Sequence, residues 1–261
     1  MKHARKTVYL HINGKPKTRL TMARFLTSSI GKKFIQGVTG AFLIIFLLLH
    51  GTINFFSVLD SLHGNFGKVA ADAVRFSEGD GWFQLGCDFM STPFIDIMVP
   101  ILALGFIIHI GFGIWLSCEN YAKRGGIKRY EVASKAKNDS WAAKNMFILG
   151  ILVLGLLAFH LTHFWAKMQL QEFMGAEAEN PYYLLMMTFK NWWMVALYIV
   201  WFIALFLHLE HGFWSMFQTI GWNNKKWLKR LKVIGIIIAA LIVLLFVATA
   251  VNAHIEAGRL L

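Results

Sequence analysis

Cysteine and acid are what this chain has least of. Two cysteines stand among 261 residues. Cys87 falls in an expected loop and Cys118 at the end of an apolar run, too far apart to bridge. A disulfide framework and a cysteine zinc site are thereby excluded. Asp and Glu number 14 against 26 Lys and Arg. Charge is scarcest in the long apolar runs. The last of these, "VIGIIIAALIVLLFVATAVNAH", has no polar residue in its middle except Thr249 and reads as scaffold. The first 33 residues lack the apolar core of a signal peptide, so the first apolar run is expected to stay in a membrane. The whole chain is 57% hydrophobic, with mean hydropathy +0.53. That is too apolar for an ordinary soluble domain.

About 20 apolar residues span a bilayer core as a helix. Five runs reach that length, near 34–57, 95–118, 145–167, 192–217 and 233–254. The chain therefore reads as all-α, a five-helix transmembrane bundle. The basic residues fix an expected orientation. The segment before the first run, the 119–144 connection and the 218–232 connection hold 21 of the 26 Lys and Arg. The segments facing the other way hold nine of the 14 acids. Basic residues mark the cytoplasmic side, which puts the N-terminus inside and the C-terminus outside. The net charge of +12 is accounted for by topology and anionic headgroups, without nucleic acid. The long loop from Val58 to Thr92 is expected to pack over the outer helix ends.

The stretch "FLIIFLLLHGTINFF", residues 42–56, places His50 among lipid-loving side chains. An ionisable residue there marks a functional site by default. Of ten histidines, His3, His11, His63 and His254 lie near ends or in loops and read as solvated. Six lie in the helices: His50, His109, His160, His163, His208 and His211. The helices pair weakly. Gly40 precedes His50 by ten residues, as Gly150 precedes His160. "HIGFGIW" from His109 and "HLEHGFW" from His208 share His, then Gly four later, then Trp two after that. A four-residue step returns to one helix face, so Gly113 and Gly212 would leave bare backbone for a flat macrocycle.

Depth arithmetic sets His50 and His160 in one layer and His109 and His208 in another, separated by about 10–12 Å. Two stacked haems with bis-His ligation need that arrangement, which leaves no open iron position and suits electron transfer. Each ring is expected to donate its other N–H to the carbonyl four residues back, at Phe46, Gly105, Leu156 and Ala204. His163 and His211 lie three residues after a proposed ligand, on nearly the same face. Depth disfavours His163, and the Gly at +4 favours His208 over His211. The remaining two would serve haem propionates, a proton path or the interface.

On "LLLHGTINFF", "HIGFGIW", "FHLTHFW" and "HLEHGFWSMFQTIGW", the chain resembles the five-helix dihaem cytochrome b anchor of succinate dehydrogenase and fumarate reductase. The resemblance covers essentially the whole chain and implies one cytochrome domain over 1–261 in a bacterial inner membrane. It implies two haems b: His50 and His160 on the distal iron, His109 and His208 on the proximal. It implies an iron–sulfur subunit and an FAD-containing flavoprotein subunit as partners, and a quinone, usually menaquinone, as substrate. The chain would be a subunit of the oxidoreductase and do no dicarboxylate chemistry itself. Glu78 and Asp72 are the candidates for the quinone-site acid. Some family members carry a glutamate two residues before the fourth-helix ligand. Here that position is Phe206, which leaves Glu210 or His211 for such a proton route.

Other classes compete. A hydrogenase or formate dehydrogenase cytochrome b would share the haems and differ in partner. A di-iron oxygenase would need "HLTH" and "HLEH" to converge on one metal pair, and depth places them apart. A transporter is expected to show broken helices or inverted repeats at the midplane.

Overall fold

The structure is a computed structural model that describes residues 28–64, 81–123, 141–222 and 224–260. Within them the chain is helical, with no strand. Five helices are long and apolar enough to cross a membrane. They are α1 (Ser29–Leu62), α3 (Pro93–Lys123), α5 (Met146–His163), α8 (Trp192–Thr219) and α9 (Lys225–Leu260). Short helices lie between them: α2 (Trp82–Met90), α4 (Trp141–Lys144), α6 (Gln169–Phe173) and α7 (Pro181–Phe189).

Most of the long helices outrun their apolar runs. α9 has 36 residues and α5 only 18. Local chemistry sets the ends. The Ser28 hydroxyl accepts from Gly31 N at 3.0 Å and starts α1. α8 closes with Gly221 at φ +92°, Trp222 N–H bonding Phe217 O at 3.0 Å and Gly221 N–H bonding Gln218 O at 3.1 Å. That double bond pattern needs a left-handed residue, which glycine supplies without strain. The Asn180 carboxamide oxygen caps α7 through Tyr182 N and Tyr183 N, and Pro181 takes the first helical position.

α1, α8 and α9 form the packed centre, where Leu43, Ile44, Phe202, Leu205, Ala239 and Ile242 are buried. α3 and α5 lie outside it. On α3, Ile97, Ile101, Leu104 and Ile107 are exposed and repeat at helical spacing, a face suited to lipid. Close crossings fall on glycine. A Cβ on Gly105 of α3 would meet Phe42 Cε1 at 3.0 Å, and one on Gly235 of α9 would meet Phe213 Cδ1 at 3.1 Å. Small residues let membrane helices approach where no water drives them together.

The loop expected over 58–92 is partly helical: α1 runs on to Leu62 and α2 begins at Trp82. α2 packs on α1, where a Cβ on Gly86 would meet Ile53 Cγ2 at 2.8 Å. Asp60 is buried and joins three elements. Its carboxylate accepts from Trp82 N and Phe83 N at 2.8 Å each and from the Tyr182 hydroxyl at 3.0 Å. α9 is less purely scaffold than its sequence suggests. Asn252 Nδ2 donates to Ser57 O at 3.5 Å, and buried Glu256 accepts from Ser61 Oγ and, at 2.9 Å, from Arg259. His254, read as solvated, is half-buried and donates from Nδ1 to Phe189 O at 2.8 Å. Its place follows from α7, a helix the apolar pattern did not announce.

Candidate functional site

The bundle brings four histidines from four helices into two pairs. His50 of α1 faces His160 of α5, with ring centroids 5.6 Å apart. His109 of α3 faces His208 of α8, with centroids 6.3 Å apart. All four rings are half-buried. An imidazole nitrogen binds a first-row metal at about 2 Å, so two rings opposed across one metal hold their centroids about 6 Å apart. Both pairs meet that spacing. A Cβ on Gly40 would meet His109 Cε1 at 3.2 Å, and one on Gly150 would meet His208 Cε1 at 3.8 Å. The glycines that flank the rings of the second pair therefore come from neighbouring helices. Gly113 faces Gln36 Nε2 at 3.4 Å and Gly212 faces Met146 Cε at 3.7 Å.

Gly40, beside His109, precedes His50 by ten residues of α1, about 15 Å of helix rise, so the two pairs lie at different levels of the bundle. Phe46 and Phe106 fill part of the interval, edge to face at 6.3 Å.

The surroundings of the rings differ from expectation. None of the four bonds the carbonyl four residues back. His109 Nδ1 instead lies 3.2 Å from Thr39 Oγ1 of α1, and its Nε2 lies 3.3 Å from Gln36 Nε2. His208 Nδ1 is buried without a partner. For His109 the oxygen is supplied across the bundle by Thr39. His50 stacks on Phe46 at 5.3 Å, His160 stacks on Phe164 at 5.0 Å, and Phe246 lies 5.8 Å from His50. Asn54 Nδ2 donates to His50 O at 2.8 Å and sits 3.5 Å from its Nε2.

His163 does not face His50. It donates from Nδ1 to Phe159 O at 2.9 Å and stacks on that ring at 4.0 Å. His211 packs edge-on against Trp214 at 4.7 Å, and its Nδ1 has no partner. The two candidate quinone-site acids, Glu78 and Asp72, lie outside the described residues, as do His3 and His11. Among the described residues no group of three or more His, Cys, Asp or Glu converges, so "HLTH" and "HLEH" do not meet. Both cysteines are free thiols.

Sequence reasoning missed Gln36 and Thr39, and it noted Gly40 and Gly150 as a repeat without placing them beside His109 and His208. A signal existed for the first two: they are polar positions three apart, on one face, at the start of an apolar run. No family model, curated protein or solved structure matches the chain.

Proposed function

We propose that the chain is the membrane-anchor cytochrome b subunit of a succinate:quinone oxidoreductase, holding two bis-His haems b and passing electrons between an iron–sulfur subunit and membrane quinone. The observation that carries this reading is the pairing itself. Four helices each present one histidine to one opposed partner, at the spacing two axial ligands need. Haem supplies one-electron transfer within the membrane when bound. The chain's residues do the rest. His50 with His160, and His109 with His208, would hold the two irons and leave no open position for oxygen. Gly40 and Gly150 keep backbone bare beside the rings. Phe46, Phe164 and Phe246 exclude water around the first pair.

The basic ends of α1 and α9 face the cytoplasm in this reading, and the iron–sulfur and FAD-containing subunits dock there. The His50 pair is then distal, and menaquinone is the expected quinone beside it. The test is haem per polypeptide in the purified complex, by pyridine haemochrome and a reduced-minus-oxidised spectrum. Two b haems, reduced by succinate and accompanied by flavin, are expected. No haem would overturn the reading. Two haems with a nickel or molybdenum protein in place of flavin would move the chain to a hydrogenase or formate dehydrogenase.

A further inference from the structure

Resting on the reading that the paired histidines ligate haem, we propose that Thr39 is a positioning residue for His109. Its hydroxyl accepts the Nδ1 proton and fixes the tautomer that leaves Nε2 bare for iron. The argument turns on one hydrogen. Thr39 Oγ1 lies 2.9 Å from Ile35 O, 3.2 Å from Gln36 O and 3.2 Å from His109 Nδ1. A hydroxyl has a single proton, and its shortest contact is a backbone carbonyl, which can only accept. The proton goes there, so the oxygen faces His109 as an acceptor and Nδ1 must carry hydrogen. Gln36 Nε2 lies 3.3 Å from His109 Nε2; with Nδ1 carrying the proton, Nε2 accepts from that amide here, and iron would displace it.

The same helix holds an internal control. Thr52 makes the equivalent backbone bond, to Leu48 O at 2.7 Å, and its hydroxyl bonds no histidine. An acceptor on the far nitrogen raises the basicity of a ligating imidazole and holds its plane. A more basic ligand favours ferric iron. Losing the acceptor at Thr39 therefore raises the potential of the haem held by His109 and leaves the other unmoved.

The experiment is a potentiometric titration of both haems, with low-temperature EPR, in the purified complex carrying Thr39→Val, Thr39→Ser or Thr52→Val. Thr39→Val is expected to raise one midpoint by about 59 mV, the one-electron equivalent of a tenfold change in preference for ferric iron. One low-spin EPR signal shifts with it. Thr39→Ser restores both, and Thr52→Val changes neither. Selective loss of one haem in Thr39→Val, regained in Thr39→Ser, also supports the assignment. Two haems with unmoved midpoints and EPR in Thr39→Val overturn it and leave the cytochrome reading standing. If Thr39→Val does not accumulate, Thr39→Ala is titrated by the same criteria. A parent complex without haem overturns the functional reading and this assignment with it.

Discussion

Around His109 and His208 the neighbours are polar side chains and glycines; around His50 and His160 they are mostly aromatic. The His109 pair meets Thr39, Gln36, Gly40 and Gly150. The His50 pair meets Phe46, Phe164 and Phe246, with Asn54 Nδ2 3.5 Å from His50 Nε2. The opposed rings stand at similar spacing in both. Pair spacing is therefore set by where α1, α3, α5 and α8 cross, and the surroundings are free to differ. One pair is held by hydrogen bonds and close backbone, the other by ring packing. Substitutions should divide accordingly.

The largest effect is expected from the ligands themselves. His109→Ala and His160→Ala should each remove about half of the haem, one site each, because a six-coordinate b haem needs both axial rings. The two difference spectra should be complementary. If either variant loses both haems, or neither, the pairs are not independent sites and the comparison fails.

Next comes crowding beside the rings. Gly40→Val should cost about 1–3 kcal/mol by overpacking against His109, whose Cε1 is already 3.2 Å from a Cβ there. Haem should be lost from the His109 pair alone. Gly150→Ala meets His208 at 3.8 Å, an ordinary contact, and should leave haem content unchanged. Equal effects at the two glycines would show that contact distance does not control the site.

These glycines mark where the sequence stopped being legible. Spans and paired histidines could be read because lipid imposes length and apolarity, and His50 stands out against both. His160 over His163 followed from depth alone. Gly40 sits ten residues before His50 in sequence, yet its neighbour is His109 on another helix. No periodicity within one helix contains that contact. Thr39 and Asp60 failed for the same reason. Each looks like an ordinary helix-end or interior polar residue until α3, α2 and α7 arrive beside it. The third span reaches the expected 167, as α5 to His163 and then a 3₁₀ turn over Trp165–Lys167, a change of helix type that nothing in that apolar run announces.

The bundle ends differ as the pairs do. Beyond the His50 pair, α2 and α7 are fastened by Asp60. At the other end, among the described residues, a Lys32–Glu119 contact of 3.4 Å, with Lys32 over Trp115, joins α1 to α3. Asp60→Ala removes the acceptor of the Trp82 and Phe83 N–H groups, at a cost of roughly 2–4 kcal/mol. A lower melting temperature in detergent is expected, with both haems retained below it. Lys32→Met should lower it less. The reverse order would make the basic end the better fastened of the two.

The smallest effect is a pH dependence near the same cap. Burial, with Asp88 and Asp60 adding, pushes the Cys87 thiol up to about 12. Burial and Asp60 also push the Tyr182 hydroxyl above its ordinary value. Both groups bind their protons more tightly folded than unfolded. The stability they contribute is present below the unfolded values, about 8.5 for a thiol, and is lost as pH rises toward 12. The thiolate is the reactive form. In a Cys118→Ser background, maleimide labelling of Cys87 in the folded protein should still be rising steeply above pH 9, where an ordinary thiol has levelled off. Removing the Asp60 carboxylate should bring that rise to lower pH. A plateau near pH 9 in the parent would mean that water reaches Cys87, and that the end beyond the His50 pair is no better closed than the basic one.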